Sequence, residues 1–163
     1  MNIESHVVNP KRLESLMVRD APIVPPDSVI KTFSHLKGDR IDFILTQDFE
    51  GLSPTSFIVR SGEWAKFFLD AWFDPLYRSY NFQRAERHAL EHIVQWHPTI
   101  LSKLALVPQR TMNSYSAVRT EDKQGPWKDG DFIITFAGCE QRDCASESEP
   151  FHKQWRAVFQ AQD

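Results

Sequence analysis

The chain has 163 residues, of which 41% are hydrophobic and 25% are charged, and these values are typical of a globular domain, not of a disordered segment. Its length is sufficient for one domain with a substantial core. The formal net charge of −3, without a dense lysine and arginine stripe, argues against nucleic acid and anionic membranes as partners.

Turn signals and hydrophobic periodicity predict helices and strands in alternation along the chain. Ser28 is placed to cap a first, short helix that ends at Gly38. The later predicted elements, in chain order, are strands at residues 41–46 and 56–60, helices at 63–73 and 84–96, strands at 104–107 and 132–136, and a final amphipathic helix with Phe151, Trp155, Val158 and Phe159. This alternation predicts a mixed α/β layer architecture without a second domain.

A polar turn follows the first predicted strand. Its carboxylates, Asp48 and Glu50, are suited to accept hydrogen bonds from sugar hydroxyls. Turn chemistry explains Gly51 and Ser53 equally well without any function. The turn by itself is therefore only a weak indication of a sugar site.

A second turn follows the hydrophobic strand near the end of the chain. Backbone at a glycine such as Gly138 can approach a ligand closely, and Cys139 comes directly after it. Cys139 and Cys144 are close enough in sequence to form a small disulfide, or they remain two free thiols. Composition leaves both alternatives open.

His88, Glu91 and His92 match the H-x-x-E-H pattern of one class of zinc peptidases, in which two histidines bind the metal. At about 100° per residue, however, the apolar face of this helix centres on Leu90 and Ile93. The three polar residues then lie on the opposite side. The pattern favours a solvated polar face over a zinc site.

Glu86 lies on the Leu90 and Ile93 side of the same helix and is predicted to point inward. The helix dipole stabilises a carboxylate so close to the N-terminus. The residue either complements the charge of the helix end or presents a carboxylate to a cleft. Local sequence favours the first interpretation.

Several blocks of the sequence, in this order, resemble glycosyltransferase family 34. That family includes fungal Golgi mannosyl- and galactosyltransferases and plant xyloglucan xylosyltransferases. The blocks are residues 48–57, Arg60, Trp64, and residues 85–90, 106–109, 113–115 and 130–139. The resemblance extends over nearly the whole chain.

The resemblance implies an α/β fold class, the C-terminal portion of a GT-A, Rossmann-like nucleotide-diphospho-sugar transferase domain with a mixed sheet flanked by helices. It implies a retaining hexosyltransferase that transfers galactose or mannose from UDP-galactose or GDP-mannose to a glycan, usually with Mn²⁺. Glu86 matches the acidic position at the sugar-transfer centre and, with Asp48, is the implied catalytic residue. The implied substrate-binding residues are Gly51, Ser56, Gln109, Asn113, Tyr115, Gly138 and Cys139.

The sequence also departs from the family pattern. The metal-binding Asp-x-Asp and the nucleotide-binding strands of the family are expected upstream of residue 1, so residues 1–163 are expected to form a single partial domain. The Asp-x-Asp at Asp129 and Asp131 precedes a strand and is interpreted as a turn. Thr135 stands where the family has a metal-binding histidine, and Glu140 stands where a basic residue is common. We therefore expect no metal ligand in this chain and weak or no catalysis by it alone.

The same resemblance implies the lumenal side of the Golgi membrane, with a glycan acceptor, a nucleotide-sugar donor and subunits of a Golgi complex as partners. No targeting or transmembrane segment is recognisable in the chain, so a membrane contact would require an anchor that it lacks. The lumenal setting favours a disulfide between Cys139 and Cys144. One alternative is a non-catalytic glycan-binding or partner module derived from the same fold, and another is the zinc peptidase.

Overall fold

A computed structural model describes residues 3–23, 28–81, 84–117 and 126–160 of the chain. Its helices are α1 (Pro10–Leu16), α2 (Glu63–Trp72), α3 (Pro75–Ser79), α4 (Ala85–Trp96), α5 (Pro98–Leu101) and α6 (Cys144–Gln160). Its strands are β1 (Phe43–Asp48), β2 (Gly51–Val59), β3 (Leu104–Val107), β4 (Ser114–Tyr115) and β5 (Ile134–Thr135). The predicted mixed α/β architecture is confirmed.

The central sheet has the strand order β2-β1-β3. β1 is antiparallel to β2 and parallel to β3, and β4 pairs with β5 in a second, parallel pair. Because β1 and β3 are parallel, their carboxyl ends lie at the same edge of the sheet. In open α/β sheets that edge is where ligands bind.

Alternate residues of a strand point to opposite faces of the sheet, and helices pack against both faces. On one face Phe43 of β1 is buried with Phe68 of α2 and Leu90 of α4. On the other face Ile44 is buried with Leu13 of α1. The helices therefore flank the mixed sheet, as the sequence predicts.

The pairing of β1 with β2 shifts at one point. Leu45 lies opposite Phe57, but the next residue, Thr46, lies opposite Ser53. The intervening residues 54–56 bulge out of the ladder, which suits Pro54 because proline has no backbone N–H to donate. The bulge brings the polar side chains on either side of it toward the segment that follows β3.

The helix predicted between Ser28 and Gly38 is wrong. The Ser28 hydroxyl accepts a hydrogen bond from the Ile30 N–H at 3.1 Å, which forms a local turn instead of a helix cap. Residues on either side of this turn then pair, with Ile23 N–H donating to Ile30 O at 2.9 Å. A π-helical turn at Glu4–Val8 precedes α1, the first α-helix of the described residues. In α1, Asn9 accepts from Arg12 N and Pro10 occupies the first helical position.

The other predicted elements are found, but the strand predicted at 56–60 is β2, which already begins at Gly51, and the strand predicted at 41–46 is β1. The predicted helices at 63–73 and 84–96 correspond to α2 and α4, and the strand at 104–107 is β3. The strand predicted at 132–136 is paired only at Ile134–Thr135. The predicted final helix is α6, in which the Phe151 ring contacts those of Trp127 and Phe136; the side chains of Val158 and Phe159 lie outside the described part. Among the described residues, no helix combines the length and the apolar character needed to cross a bilayer.

Candidate functional site

Asp48 ends β1 at the edge of the sheet where ligands are expected. Its carboxylate accepts hydrogen bonds from Arg87 Nη1 at 3.0 Å and Arg87 Nη2 at 3.3 Å, in a two-pronged pair. It also accepts from Tyr115 Oη at 2.8 Å and from the Glu50 N–H at 2.8 Å. The Asp48 side chain is only 1% exposed. Each of its oxygens thus has two protein donors, which accounts for the acceptor capacity of a carboxylate.

Two arginines near the start of α4 bind the carboxylates of this turn. Arg87 lies between Asp48 and Glu50, at 3.6 Å from the Glu50 carboxylate. Arg84 is 53% exposed and also pairs with Glu50. That hydrogen bond is the main reason why the pKa of Arg84 is raised, and the charges of Asp48 and Glu140 raise it further. Glu140, in the turn after Cys139, is therefore near the same edge of the sheet.

Glu91 is buried, so the solvated face predicted for His88, Glu91 and His92 is wrong. Its carboxylate accepts a hydrogen bond from the Leu52 N–H at 3.0 Å. The His92 ring is half-buried among aromatic rings, with centroids 5.5 Å from Tyr77 and 6.0 Å from Trp96. Helical periodicity missed this because α4 packs on the hairpin turn as well as on the apolar core. Glu91 is thus bound to the backbone of the hairpin, and among the described residues it does not group with the two histidines to hold a metal.

Gly51 explains why a carboxylate fits there. Its φ is +122°, a conformation that side chains rarely adopt. A Cβ on Gly51 would lie 2.1 Å from Glu91 Oε1. Gly51, a predicted substrate-binding residue, is thus placed against Glu91 inside the protein.

Asn113 is the centre of a second buried network. Its side-chain amide donates to Ser53 Oγ at 2.9 Å and accepts from Thr135 Oγ1 at 2.6 Å. The Gln109 amide donates to the Asn113 carbonyl at 3.3 Å. Ser56, beyond the bulge of β2, donates to the neighbouring Met112 carbonyl. Predicted site residues from three separate segments are thereby joined.

Gly138 and Cys139 lie in an exposed turn. Gly138 has φ +76°, and Gln141 N–H donates to its carbonyl at 3.0 Å. Cys139 forms a disulfide with Cys144, as the family resemblance implies. Within the loop that this bond closes, Arg142 donates to the Ala137 carbonyl at 3.0 Å and attaches the loop to β5.

Asp131 lies in a turn, which confirms that interpretation of the Asp-x-Asp sequence. Its N–H donates to Lys128 O at 3.0 Å. Its carboxylate accepts from Arg110 Nη2 at 2.7 Å, from Ser114 Oγ at 2.9 Å and from Lys128 N at 2.9 Å. Burial alone would raise the pKa of Asp131, but these hydrogen bonds outweigh it and lower the pKa.

Glu86 does not point inward, which corrects the prediction for that side chain. It is exposed, because it belongs to the first turn of α4 while the buried face begins at Ala89. The Trp72 indole N–H donates to the Glu86 carbonyl at 2.9 Å and fixes this turn to α2. Glu86 lines a groove of about 180 Å³ that also includes Phe73 and Tyr77. It lines an adjoining hollow of about 290 Å³ together with Phe57 and Phe73.

The structure brings most of the predicted residues together in two groups, to neither of which the exposed Gly138 and Cys139 belong. One is the buried network at the sheet edge, formed around Asp48 and Asn113. The other is the exposed aromatic groove at Glu86. Sequence reasoning missed that Arg87 and Glu91 belong to the first group. The available signal was the pair of acids at the hairpin turn, since buried carboxylates require cations or N–H donors near them.

Polar side chains collected at the carboxyl edge of parallel strands in an α/β fold are typical of a ligand-binding or enzyme domain. The sequence profile of the galactosyl transferase GMA12/MNN10 family matches residues 1–145. The chain belongs to this family of glycosyltransferases, as the sequence resemblance implies.

Individual relatives agree with this membership. The chain is 32% identical over 139 residues to an "Uncharacterized alpha-1,2-galactosyltransferase" of Schizosaccharomyces pombe, which covers 85% of this chain and 42% of the relative. It is 31% identical over 144 residues to an "Alpha-1,2-galactosyltransferase" of the same yeast, and this match covers 85% of this chain and 37% of the relative. It is 30% identical over 176 residues to the "Probable alpha-1,6-mannosyltransferase MNN10" of Saccharomyces cerevisiae, and this match covers 97% of this chain and 44% of the relative. The chain spans less than half the length of these curated relatives. No solved structure matches it.

The described residues do not fit the Mn²⁺ ion that the family resemblance implies. Thr135, at the expected histidine position, uses its hydroxyl to hold Asn113. The carboxylates of Asp48 and Asp131 are occupied by arginine and other protein donors. In the part of the chain that the structure describes, no three His, Cys, Asp or Glu side chains are grouped to hold a metal.

Proposed function

We propose that this chain forms the sugar-facing part of a hexosyltransferase site, in which Glu86 is the carboxylate that contacts the sugar. The transferred group would be galactose or mannose, passed from UDP-galactose or GDP-mannose to a glycan with retention at the anomeric carbon. The relatives named as galactosyl- and mannosyltransferases support this substrate class.

The position of Glu86 between two aromatic-walled hollows is the observation that carries the proposal. Aromatic rings offer flat apolar surface to the C–H face of a sugar ring, and a carboxylate accepts strong hydrogen bonds from its hydroxyls. Glu86 lies in the first turn of α4, where the helix dipole is favourable to a negatively charged group. Its charge is suited to stabilise positive charge that develops on a donor sugar.

Asp48 has a different role in this proposal. Its lone pairs are occupied by Arg87, Tyr115 and the backbone, so it holds these groups in place instead of meeting the sugar. Asn113, with Ser53 and Thr135, supports the adjoining wall in the same way. The exposed Gly138 and Cys139 turn is the part that would lie near the diphosphate.

Three further statements belong to the same proposal. Residues 1–163 contribute part of one glycosyltransferase domain, in which the described residues do not supply the metal ligands. The chain acts on the lumenal side of the Golgi membrane, alone or with subunits of a Golgi complex. By itself it is a weak or inactive catalyst, because two phosphates need several compensating positive charges and the described residues include no group of side chains that could hold the metal ion.

Calorimetry with methyl α-mannoside and methyl α-galactoside tests the sugar site directly. We expect saturable binding of at least one hexoside to the 163-residue protein, weakened about tenfold in Glu86→Gln, which corresponds to roughly 1.4 kcal/mol for one lost charged hydrogen bond. Glu63→Gln is the matched control, because Glu63 is in the first turn of α2 as Glu86 is in that of α4. Equal affinity in wild type and Glu86→Gln, or no binding at all, would contradict the proposed site.

Transfer assays with UDP-galactose or GDP-mannose and Mn²⁺ test the catalytic part. We expect little or no turnover from the chain alone. Robust turnover that Glu86→Gln abolishes would refute the weak-catalyst statement and support the role of Glu86.

A non-catalytic glycan-binding module remains the second candidate. The observation that favours it is the use of Thr135 and Asp131 in internal hydrogen bonds instead of metal binding. Hexoside binding without any binding of UDP-galactose or GDP-mannose, both measured by calorimetry, would favour this candidate.

A further inference from the structure

Glu91 is a buried carboxylate that the proposed reaction does not use. It is only 8% exposed, and its Oε1 atom accepts the Leu52 N–H at 3.0 Å. Leu52 is the second residue of β2, directly after the turn that carries Asp48 and Glu50. Burying a charged group costs free energy unless the group is paired or hydrogen-bonded. The buried position of Glu91 therefore requires a structural reason.

The turn is built to receive this carboxylate. Gly51 adopts φ +122°, and any Cβ there would lie 2.1 Å from Glu91 Oε1. The glycine therefore lets α4 approach the backbone of β2 closely. Glu91 and Gly51 form one contact between the helix and the hairpin.

This contact is the last of three that fix α4 along its length. Trp72 binds the Glu86 carbonyl, Arg87 binds Asp48, and Glu91 binds the Leu52 N–H. The three attachment points on α4 span less than two helical turns, since Glu86 and Glu91 are five residues apart. A shift of α4 at Glu91 is therefore transmitted to Arg87 and to the turn that carries Glu86.

We propose that Glu91 is a positioning residue for the sugar site: by holding the backbone of Leu52 it fixes α4 against the hairpin and so sets where Glu86 stands in the groove. The inference rests on the proposed function of Glu86 and deepens it. Glu91 acts through α4 and does not itself meet the sugar.

The surrounding charges make this contact depend on pH. Burial raises the pKa of Glu91 and Asp48 adds to the effect, while the Leu52 hydrogen bond and Arg87 oppose it. Glu50 and Arg84 from the same cluster and Tyr115 from β4 are the other ionisable groups around Asp48. The ionised carboxylate accepts the stronger hydrogen bond, so the Leu52 contact itself is tightest above the pKa of Glu91, whereas desolvation makes the net contribution of Glu91 to stability largest below that pKa.

The test uses the Trp72 indole N–H signal in nitrogen-15 NMR spectra of the ligand-free protein, assigned with Trp72→Phe. In wild type we expect this signal to shift with pH as Glu91 titrates. Glu91→Gln keeps an acceptor for Leu52 and should remove that titration step. Glu91→Leu has no acceptor and should displace the signal at all pH values, while Glu63→Leu, at an exposed position of α2, should leave both position and titration unchanged.

Hexoside affinity is measured on the same variants. We expect Glu91→Leu to weaken methyl hexoside binding about tenfold and Glu91→Gln to restore it to within about twofold, since misplacement of a site residue is expensive. Affinity in wild type should fall as the pH drops through the raised pKa of Glu91, and that step should be missing in Glu91→Gln. If Glu91→Leu does not fold, the comparison of wild type with Glu91→Gln decides.

The outcomes separate the two proposals. A Trp72 signal that titrates identically in wild type and Glu91→Gln would overturn the positioning role, whether or not a hexoside binds. A signal that responds as expected without any hexoside binding would support the link through α4 and would instead reject the proposed sugar site.

Discussion

Asp48 and Glu86 are both carboxylates that the family resemblance assigns to catalysis, but they lie in opposite surroundings. Asp48 is buried at the end of β1 and receives hydrogen bonds from Arg87, Tyr115 and the Glu50 backbone. Glu86 is exposed at the start of α4 between two aromatic-lined hollows. The two side chains are nevertheless attached to the same framework, since Arg87 follows Glu86 directly on α4.

We infer two different roles from these surroundings: Asp48 holds neighbouring protein groups in place, whereas Glu86 is accessible to a ligand. A carboxylate whose acceptor positions are filled by the protein can bind a sugar only by giving up a bond inside a poorly solvated site, which is costly. A carboxylate in an open groove has no such cost. We infer that mutations around Asp48 change mainly stability, whereas mutations of Glu86 change mainly binding.

Arg87→Met should have the largest effect on stability. It leaves the Asp48 carboxylate buried without its cation, and removing one partner of a buried pair costs about 3–5 kcal/mol. Arg84→Met is the matched control, because Arg84 binds Glu50 from a 53% exposed position and such pairs contribute about 0.2–1 kcal/mol. Urea unfolding of both variants measures the difference. Equal losses in the two variants would show that Asp48 is not held as described.

Gly51→Ala should follow, with a loss of about 2–3 kcal/mol. The new Cβ would both strain the backbone at φ +122° and collide with Glu91 Oε1. Combining it with Glu91→Ala should recover the part due to the collision but not the part due to the backbone. Strictly additive free energies of unfolding in the double variant would argue against the contact.

Asp131→Asn should cost about 1.5–2 kcal/mol at neutral pH, because hydrogen bonds to a charged acceptor are stronger than those to an amide. The pKa of Asp131 is lowered in the folded protein. Its stabilisation is therefore present above the unfolded pKa near 3.8 and is lost as the pH falls through the folded pKa. The variant should lack this acid-dependent loss when unfolding is measured between pH 7 and pH 2. An unchanged acid profile would contradict the assignment.

Glu91→Gln should have the smallest effect on stability, and its sign depends on pH. Because the folded pKa of Glu91 is raised, its carboxyl contributes most at low pH, and that contribution is lost as the pH rises through the folded pKa. Relative to wild type, Glu91→Gln should therefore gain stability as the pH rises through the raised pKa of the folded glutamate. A difference that is constant with pH would show that Glu91 is not buried in its charged form.

Periodicity and turn signals in the sequence were sufficient to predict α2, α4 and β3, because in these elements local preference and core packing agree. The predicted helix after Ser28 failed because the serine hydroxyl makes a tight turn and the flanking residues pair with each other. The missed α1 had a usable signal, a capping Asn9 followed by Pro10. Because Asn-Pro pairs are also common at turns, this signal by itself does not predict a helix.

The site was predictable as a set of segments but not as a geometry. The family resemblance implies one site for Asp48, Asn113 and Tyr115, and in the structure Tyr115 donates a hydrogen bond to Asp48. A single helical face could not reveal that Glu91 packs beneath Gly51, since that contact depends on a glycine 40 residues earlier in the chain. A single helical face also could not predict that Glu86 is exposed, because α2 and the hairpin together determine which side of α4 is buried.

Carbon-13 NMR of the side-chain carboxylates tests the central distinction most directly. When methyl α-mannoside or methyl α-galactoside is titrated into the protein, we expect the Glu86 carboxylate signal to move in proportion to saturation. The Asp48 carboxylate signal should stay in place. Movement of the Asp48 signal with a stationary Glu86 signal would contradict the account and assign the sugar contact to the buried acid.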